Sequence, residues 1–321
     1  KHFFNHISNN LRKDIKINAL QRFYPTFCRL SPKLRCGYTS DEYFMIRGGW
    51  FRKWPDVKDT ITYWRWFKVR KFANDHSKEH ILLNKVETYK YFSDYLHHRW
   101  LYPKESTFEQ FKEFVTAVDK IIKKPLEDQQ GHGVDLFIPS GNYYEDFLKC
   151  KEDNLLLDEC IKQDQRMSFG NKSVNTIRVY TIIDSTGKAH IVQTILRVGV
   201  GESVVDNYCS GGCIYPIDIQ SGRVDNTGWG HGADYSGIKI HPGTNVGMVG
   251  FQIPYWNDVK QYACDLAEHL PEVRCVGWDI VVADNPCHVD FIEGNHDSHS
   301  GMLGMDNKIT YCELKSLIYD K

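Results

Sequence analysis

The chain has 321 residues, 40 basic and 41 acidic side chains, a formal net charge of -1 and 41% hydrophobic residues. That length is enough for two or three lobes with real cores. The even charge balance argues against a nucleic-acid partner, and no apolar run approaches the ~20 residues a membrane-spanning helix needs. The ten cysteines form no CxxC pair. Cys209 and Cys213 flank a Ser-Gly-Gly loop with no His pair after it, a poor zinc pattern, so the cysteines read as reduced thiols of a cytosolic protein. The N-terminus lacks the apolar region of a signal peptide.

Residues 1–40 are basic and carry apolar residues (Phe3, Phe4, Ile7, Leu11, Ile15, Leu20) at roughly helical spacing. They read as a helix packed on the body with a solvated basic face; the alternative is a dock for an anionic membrane surface or a phosphate-bearing substrate. Residues 41–80 are crowded with aromatics, including Trp50, Trp54, Trp64 and Trp66. Stacking on a sugar or a base is conceivable, but helical core is the plainer reading. A helix is expected after Leu83, capped by Asn84 with Glu87 at the third position and ended by Pro103. Lys85 falls in its first turn, where a cation gains nothing from the helix dipole and where anionic ligands are attracted.

After a further helix from Phe108, a strand ends in Lys124-Pro125, and a polar turn containing Gly131-His132-Gly133 returns to a second strand. Glycines there let backbone N–H groups approach a phosphate, with Lys124 beside it, although an ordinary hairpin loop reads the same way. No Walker or GxGxxG motif is present. A helix over 142–149 and a strand over 154–158 lead to Glu159-Cys160-Ile161, a segment able to offer backbone groups to an adenine. Residues 173–183 form a strong strand that carries Asn175 and Arg178, and the return strand ends in Arg197. Buried arginines are rare unless paired, so Arg178 and Arg197 are candidates for phosphate or carboxylate contacts, or for a structural salt bridge. The loop from Gly199 to Gly212, with Asp206, Asn207, Gly211 and Gly212, suits a polar ligand. Residues 228–250 are glycine-rich and read as a lid, and Asn257 is expected to cap an amphipathic helix.

The stretch Val276 to Asn295 reads as two short strands around a turn at Ala283-Asp-Asn-Pro286. In such a hairpin Asp279 falls within about one residue of Glu293, and Glu293 shares a face with Asn295. Two carboxylates and an amide oxygen suit a hard cation such as Mg²⁺. A plain acidic surface hairpin is the competing account, but Asp279 interrupts an otherwise buried strand, and an unpaired buried carboxylate is costly.

Taken in order, Lys124-Pro125 with Gly131-His132-Gly133, Ser173-Val-Asn-Thr-Ile-Arg178, Ser203 to Asn207 with Gly211-Gly212, Ile253-Pro254, and Gly277-Trp-Asp279 leading to Glu293-Gly-Asn295 resemble the ATP-grasp superfamily. The set is most similar to the sugar-transfer-associated ATP-grasp proteins of surface-polysaccharide biosynthesis. The resemblance runs from about Leu83 to about Gly301. It implies an α+β ATP-grasp fold in which two α+β lobes clamp ATP: a helical, aromatic-rich region over 1–80, a small lobe with phosphate loop and adenine hinge over 81–165, and a large lobe with the metal site over 166–321.

By position, the resemblance implies that Lys85, Lys124 and the Gly131–Gly133 loop contact the ATP phosphates. Glu159, Cys160 and Ile161 fall at the adenine hinge, and Asp279, Glu293 and Asn295 match the Mg²⁺ triad. Arg178 falls beside the transferring phosphoryl group. No clear ribose acid follows the hinge; Gln163 and Asp164 stand in for it, and Asn175 joins the nucleotide set. Trp278 stands where some relatives carry an arginine, so Arg178 and Arg197 would supply that charge. The implied activity is an ATP-dependent carboxylate–amine ligase working through an acyl phosphate on a uronic acid or amino acid of a surface glycan. A kinase acting on a sugar hydroxyl, with His296, Asp297, His299 or Asp206 as base, is the first alternative. A non-catalytic nucleotide-binding scaffold is the second.

Overall fold

The computed structural model describes residues 59–126, 133–170, 173–200, 211–230, 236–242, 244–298 and 309–319. The basic N-terminal segment, with its expected helix and membrane contact, lies outside the described residues, as do Gly131, His132, Asp206, Asn207 and His299. In chain order the elements are α1 (Tyr63–Ala73), α2 (His80–Leu83), α3 (Lys85–Tyr91), β1 (Trp100–Leu101), α4 (Phe108–Ala117), β2 (Ile121–Pro125), β3 (Asp135–Phe137), α5 (Tyr143–Glu152), β4 (Leu155–Glu159), β5 (Thr176–Ile183), β6 (Ala189–Val198), β7 (Cys213–Pro216), β8 (Gly228–Trp229), β9 (Ser236–Ile238), α6 (Trp256–His269), β10 (Cys275–Val282), β11 (Val289–Asn295) and α7 (Tyr311–Tyr319).

The strands form two antiparallel sheets: four strands in the order β1-β4-β2-β3, and seven in the order β11-β10-β5-β6-β7-β8-β9. Helices and antiparallel sheets together make the chain α+β. On the smaller sheet, Phe111, Phe114 and Val115 of α4 and Phe147 of α5 bury against Ile121 and Leu157. On its other face Val86 and Tyr89 of α3 meet Leu156. The larger sheet has a largely apolar face, with Ile177, Val179, Leu196, Trp278 and Ile280, against which α6 lays Val259, Ala263 and Leu266. On the opposite face Tyr180, Ile182, Ile195 and Cys275 are covered by Trp66 and Val69 of α1 and by Leu314 and Ile318 of α7. The described part of the aromatic stretch thus supplies Trp66 to a wall of the larger sheet.

Local signals set most helix starts. Asn84 accepts from the N–H groups of Val86 and Glu87, and Thr107 with Gln110 closes a reciprocal capping box on α4. Helix α3 stops at Tyr91 rather than running to Pro103. The reason is tertiary: His97 N–H and His98 Nδ1 bond the Asp290 carboxylate, and Trp100–Leu101 pair with Asp158 and Leu157, which pulls the chain out of helix. Helix α6 begins at Trp256, not behind an Asn257 cap; Trp256 is held by its indole N–H on the Ile219 carbonyl (2.9 Å). The glycine-rich stretch expected as a lid contributes β8 and β9 at the sheet edge.

The two sheets meet where β11 passes α2 and α3. Gly294 of β11 makes that approach possible, because a Cβ there would stand 2.6 Å from the Trp278 ring and 3.1 Å from Leu82. We expect Gly294→Ala to destabilise the fold by about 1–3 kcal/mol, the usual cost of overpacking a dense core. Urea unfolding measures it, and a change under about 0.5 kcal/mol would show that the contact yields easily.

Candidate functional site

The register of the larger sheet gathers four charged side chains on one face. Asp279 of β10 stands opposite Arg178 of β5 and, on its other side, opposite Glu293 of β11. Arg197 of β6 faces Thr176, one step diagonal from Arg178. A β-bulge decides the pairing with Glu293. From the turn, β10 and β11 pair Val282 with Val289, Val281 with Asp290 and Ile280 with Phe291; the next pair is Asp279 with Glu293, so Ile292 is the extra residue. Without it Asp279 would face Ile292 and Glu293 would point to the other face, because a one-residue slip exchanges the faces of a strand.

Asp279 is almost fully buried. Arg178 grips both of its oxygens, through Nε on Oδ1 and Nη2 on Oδ2 (2.8 Å). Arg197 adds Nη1 on Oδ2 at 2.7 Å. Burial by itself would raise this carboxyl's pKa, but the two guanidinium groups hold it well below the ordinary carboxylate range. Gly277, two residues earlier on the same face, makes room: a Cβ there would lie 3.1 Å from Arg178 Cδ and 2.7 Å from Ser298 Oγ. The guanidinium reaches in from the neighbouring strand, while Trp278 turns to the opposite face and donates to Thr181 (2.9 Å).

Of the expected metal set, Asp279 and Glu293 stand opposite each other across the strands, within side-chain hydrogen-bonding reach. Glu293 and Asn295 lie side by side, half-buried, with Asn295 Nδ2 donating to Glu293 Oε1 at 2.9 Å; a carboxylate beside an amide oxygen fits a hard cation. Asp279 is also bound by both arginines. Among the described residues no cluster of three or more His, Cys, Asp or Glu has metal-holding geometry.

On the smaller sheet Lys124 is buried and ion-paired with Asp158 Oδ2. Tyr89, from α3, donates to the same oxygen (2.9 Å) and accepts from Lys124 Nζ (3.2 Å). The same hydroxyl lies 3.2 Å from the Ile292 carbonyl, so Lys124 stands two hydrogen bonds from the residue before Glu293. Lys85, one helical turn before Tyr89, reaches the Pro125 carbonyl (3.0 Å). Both expected phosphate lysines therefore sit at the end of β2. Gly133, the described end of the expected phosphate loop, has φ 72°, a conformation that favours glycine.

The hinge residues join the two sheets. Glu159 N–H bonds Arg99 O and Cys160 N–H bonds Lys120 O, both at 2.8 Å, and Ile161 is half-buried. The Glu159 carboxylate turns to Arg99 Nε (3.0 Å), and burial raises the Cys160 thiol pKa. Gln163 then bridges to Ala283, and Asp164 N–H bonds Val282 O, which anchors the hinge on β10.

Three residues expected at the nucleotide have partners within the chain. Gln163 bonds the Asn175 backbone. Asn175 is fully buried, with its side chain bound to Met167 O (2.8 Å) and Gly199 N–H (3.0 Å). Asp164 caps its own turn and takes a bidentate pair from Arg166. Of the expected substrate residues, Gly211 (φ 98°) and buried Gly212 lead into β7, next to the end of β6 that carries Arg197. His296, kept toward its neutral form by burial, has its ring 4.0 Å from Glu79.

Four residues at the site have little sequence signal. Asp158 ends an apolar run, Leu155 to Leu157, and Tyr89 lies four residues after Lys85, a spacing that shares a helix face. Arg70 binds the His296 carbonyl (2.8 Å) and the Asp297 carboxylate, and Trp66 donates to Ser298 O (2.8 Å). Helix α1 thereby fixes the segment that leaves Asn295.

The family model described as sugar-transfer associated ATP-grasp matches residues 146–312, a little over half of the chain. The chain belongs to the sugar-transfer associated ATP-grasp family, and its α+β architecture is the ATP-grasp fold. Among solved structures it is similar to the ATP-grasp ligase PsnB complexed with minimal precursor (14% identity over 78% of this chain and 64% of that one, TM-score 0.47). It is also similar to N5-carboxyaminoimidazole synthetase from Staphylococcus aureus complexed with ADP (7% identity, 77% of this chain and 54% of that one, TM-score 0.47). The chain thus spans less than two thirds of the PsnB chain and about half of the synthetase. No curated protein matches the sequence. Among the described residues no helix is long and apolar enough to cross a membrane.

The arginine bracket gives a stability prediction. A carboxylate with a lowered folded pKa contributes its full stabilisation above its unfolded pKa of about 3.9 and loses it as pH falls through the folded value. Asp279 therefore contributes evenly between about pH 5 and 8 and fails only in acid. We expect Asp279→Asn to cost about 3–5 kcal/mol at pH 7, because it leaves two buried guanidinium groups without their anion. Urea denaturation checks this; a loss under about 1 kcal/mol would mean that the arginines have another anchor.

Proposed function

We propose that this protein is an ATP-dependent carboxylate–amine ligase that forms an amide through an acyl phosphate. The observation that carries the reading is the meeting of Lys124 with the strand of Glu293 and Asn295, two hydrogen bonds apart, beside the arginine-bracketed Asp279. Four cations and the oxygen donors of Glu293 and Asn295 around one junction suit a polyanion whose terminal phosphoryl group is to be transferred.

In this reading the two sheets belong to the two lobes of the clamp, with the hinge at Glu159 to Ile161 between them. Lys85 and Lys124 hold nucleotide phosphates. Arg178 and Arg197, oriented by Asp279, offset the charge that develops on the transferring group. Glu293 and Asn295 would hold Mg²⁺, which would supply neutralising charge to the nucleotide phosphates. The substrate carboxylate attacks the γ-phosphorus and breaks the bond to the bridging oxygen, so ADP leaves with that electron pair. An amine then attacks the acyl carbon, loses a proton and expels phosphate. Loop closure that excludes water protects the acyl phosphate from hydrolysis.

The family's association with sugar transfer supports a uronic acid or an amino acid attached to a glycan as the carboxylate, with the Gly211–Gly212 loop beside it, and use of ATP supports a cytoplasmic site of action.

Hydroxylamine trapping tests the chemistry. With Mg-ATP and a panel of uronic and amino acids, we expect a hydroxamate on the true carboxylate substrate. A stable phosphoester on a sugar hydroxyl would replace the ligase reading with a kinase. A second test is Glu293→Gln, expected to lower ADP release roughly 100-fold, the scale on which a preorganised charge-stabilising group acts. Unchanged turnover would remove Glu293 from the site.

A further inference from the structure

We propose that Tyr89 is a positioning residue whose hydroxyl ties Lys124 of the smaller sheet to the Ile292 bulge that aims Glu293 on the larger one. The inference rests on the reading that Lys124 holds nucleotide phosphates. A bulged residue leaves a backbone group outside the ladder, and in β11 the bulge is what turns Glu293 toward Asp279. The Ile292 carbonyl at that bulge lies within hydrogen-bond distance of the Tyr89 hydroxyl, at 3.2 Å. The same oxygen accepts from Lys124 Nζ at 3.2 Å and lies 2.9 Å from Asp158 Oδ2.

A phenol has one proton, so at any moment Tyr89 donates to Asp158 or to Ile292, one acceptor on each sheet. Burial pushes its pKa up, which keeps the proton in place. The balance between the acceptors is set by Lys124. While the ammonium neutralises Asp158, the carboxylate competes weakly and Ile292 can hold the hydroxyl. When a phosphate draws the ammonium away, Asp158 carries an uncompensated buried charge. Its Oδ1 has no hydrogen-bond partner among the described residues, so its demand falls on Tyr89, and the hydroxyl turns from the bulge. Tyr89 is fully buried, and its ring packs edge-on against His98, Trp100 and Phe291. The ring therefore stays fixed while the proton changes partner, and occupancy of the phosphate site is felt at the strand that carries Glu293.

The test is calorimetric binding of ADP, with and without Mg²⁺, to the whole chain as wild type, Lys124→Ala and Tyr89→Phe. Lys124→Ala is expected to abolish or strongly weaken ADP binding. Tyr89→Phe keeps the ring and is expected to weaken Mg-ADP binding about tenfold, the scale of a hydrogen bond to a charged group. It should also shrink the gain in ADP affinity that Mg²⁺ confers, which a purely structural ring would leave alone. If Lys124→Ala weakens ADP and Tyr89→Phe leaves both affinities at wild-type values, the role of Tyr89 is overturned while the site reading stands. If Lys124→Ala changes nothing, the site reading fails and takes the proposal with it. Hydrogen exchange in the wild type removes any dependence on the variant folding. Protection of the backbone amides over 289–295 should change when ADP binds without Mg²⁺, and unchanged exchange there overturns the coupling.

Discussion

A carboxylate in the middle of a buried strand has to be neutralised, and the centre of this protein is arranged around that requirement. Asp279 lies in the inner part of the larger sheet, where an isolated charge would be costly. Two arginines from two further strands meet it with three hydrogen bonds. That fixes the register of β10 against β5 and the reach of β6, and it requires a small residue at Gly277 so that the Arg178 stem can enter. The outcome is a pair of guanidinium groups held in a set orientation on the face that carries Glu293.

The second constraint is the bulge at Ile292. A strand with regular pairing would have sent Glu293 to the packed face beneath α6. The extra residue sends it to the charged face instead, next to Asn295. A bulge leaves a backbone group outside the ladder, and the Tyr89 hydroxyl of α3, which packs on the smaller sheet, lies within hydrogen-bond distance of the Ile292 carbonyl. The smaller sheet is thus joined to the larger one at the position where the side-chain geometry of the site is decided. The lysine of β2 shares that same hydroxyl, so Lys124 and the strand that carries Glu293 and Asn295 form a single hydrogen-bonded unit.

Helix α1, which precedes the region matched to the family, also belongs to this unit. Its Trp66 and Val69 cover one face of the larger sheet, and Arg70 with Trp66 holds the backbone of residues 296–298. The charged face is therefore closed at one end by α1 and α7 and bordered at the other by Gly211 and Gly212, which stand beside the end of β6.

The amino-acid sequence alone determined the alternation of strands and helices around Lys124-Pro125, the hairpin that brings Asp279 to within about one residue of Glu293, and the membership of the ordered motifs in one family. These are local in origin: apolar periodicity, turn residues and helix caps act over a few neighbours. It also marked Arg178 and Arg197 as buried charges in need of an anion, without showing that the anion is Asp279. Only the tertiary structure decided that Asn175, Gln163 and Asp164 serve as brackets for the chain, that α3 ends early to let His97 and His98 reach Asp290, and that Tyr89 joins the two sheets. Each of these depends on a partner dozens or hundreds of residues away, or on a single bulge that reverses which face a side chain takes. A pattern with a period of two residues cannot reveal its own slip; only the strand beside it can.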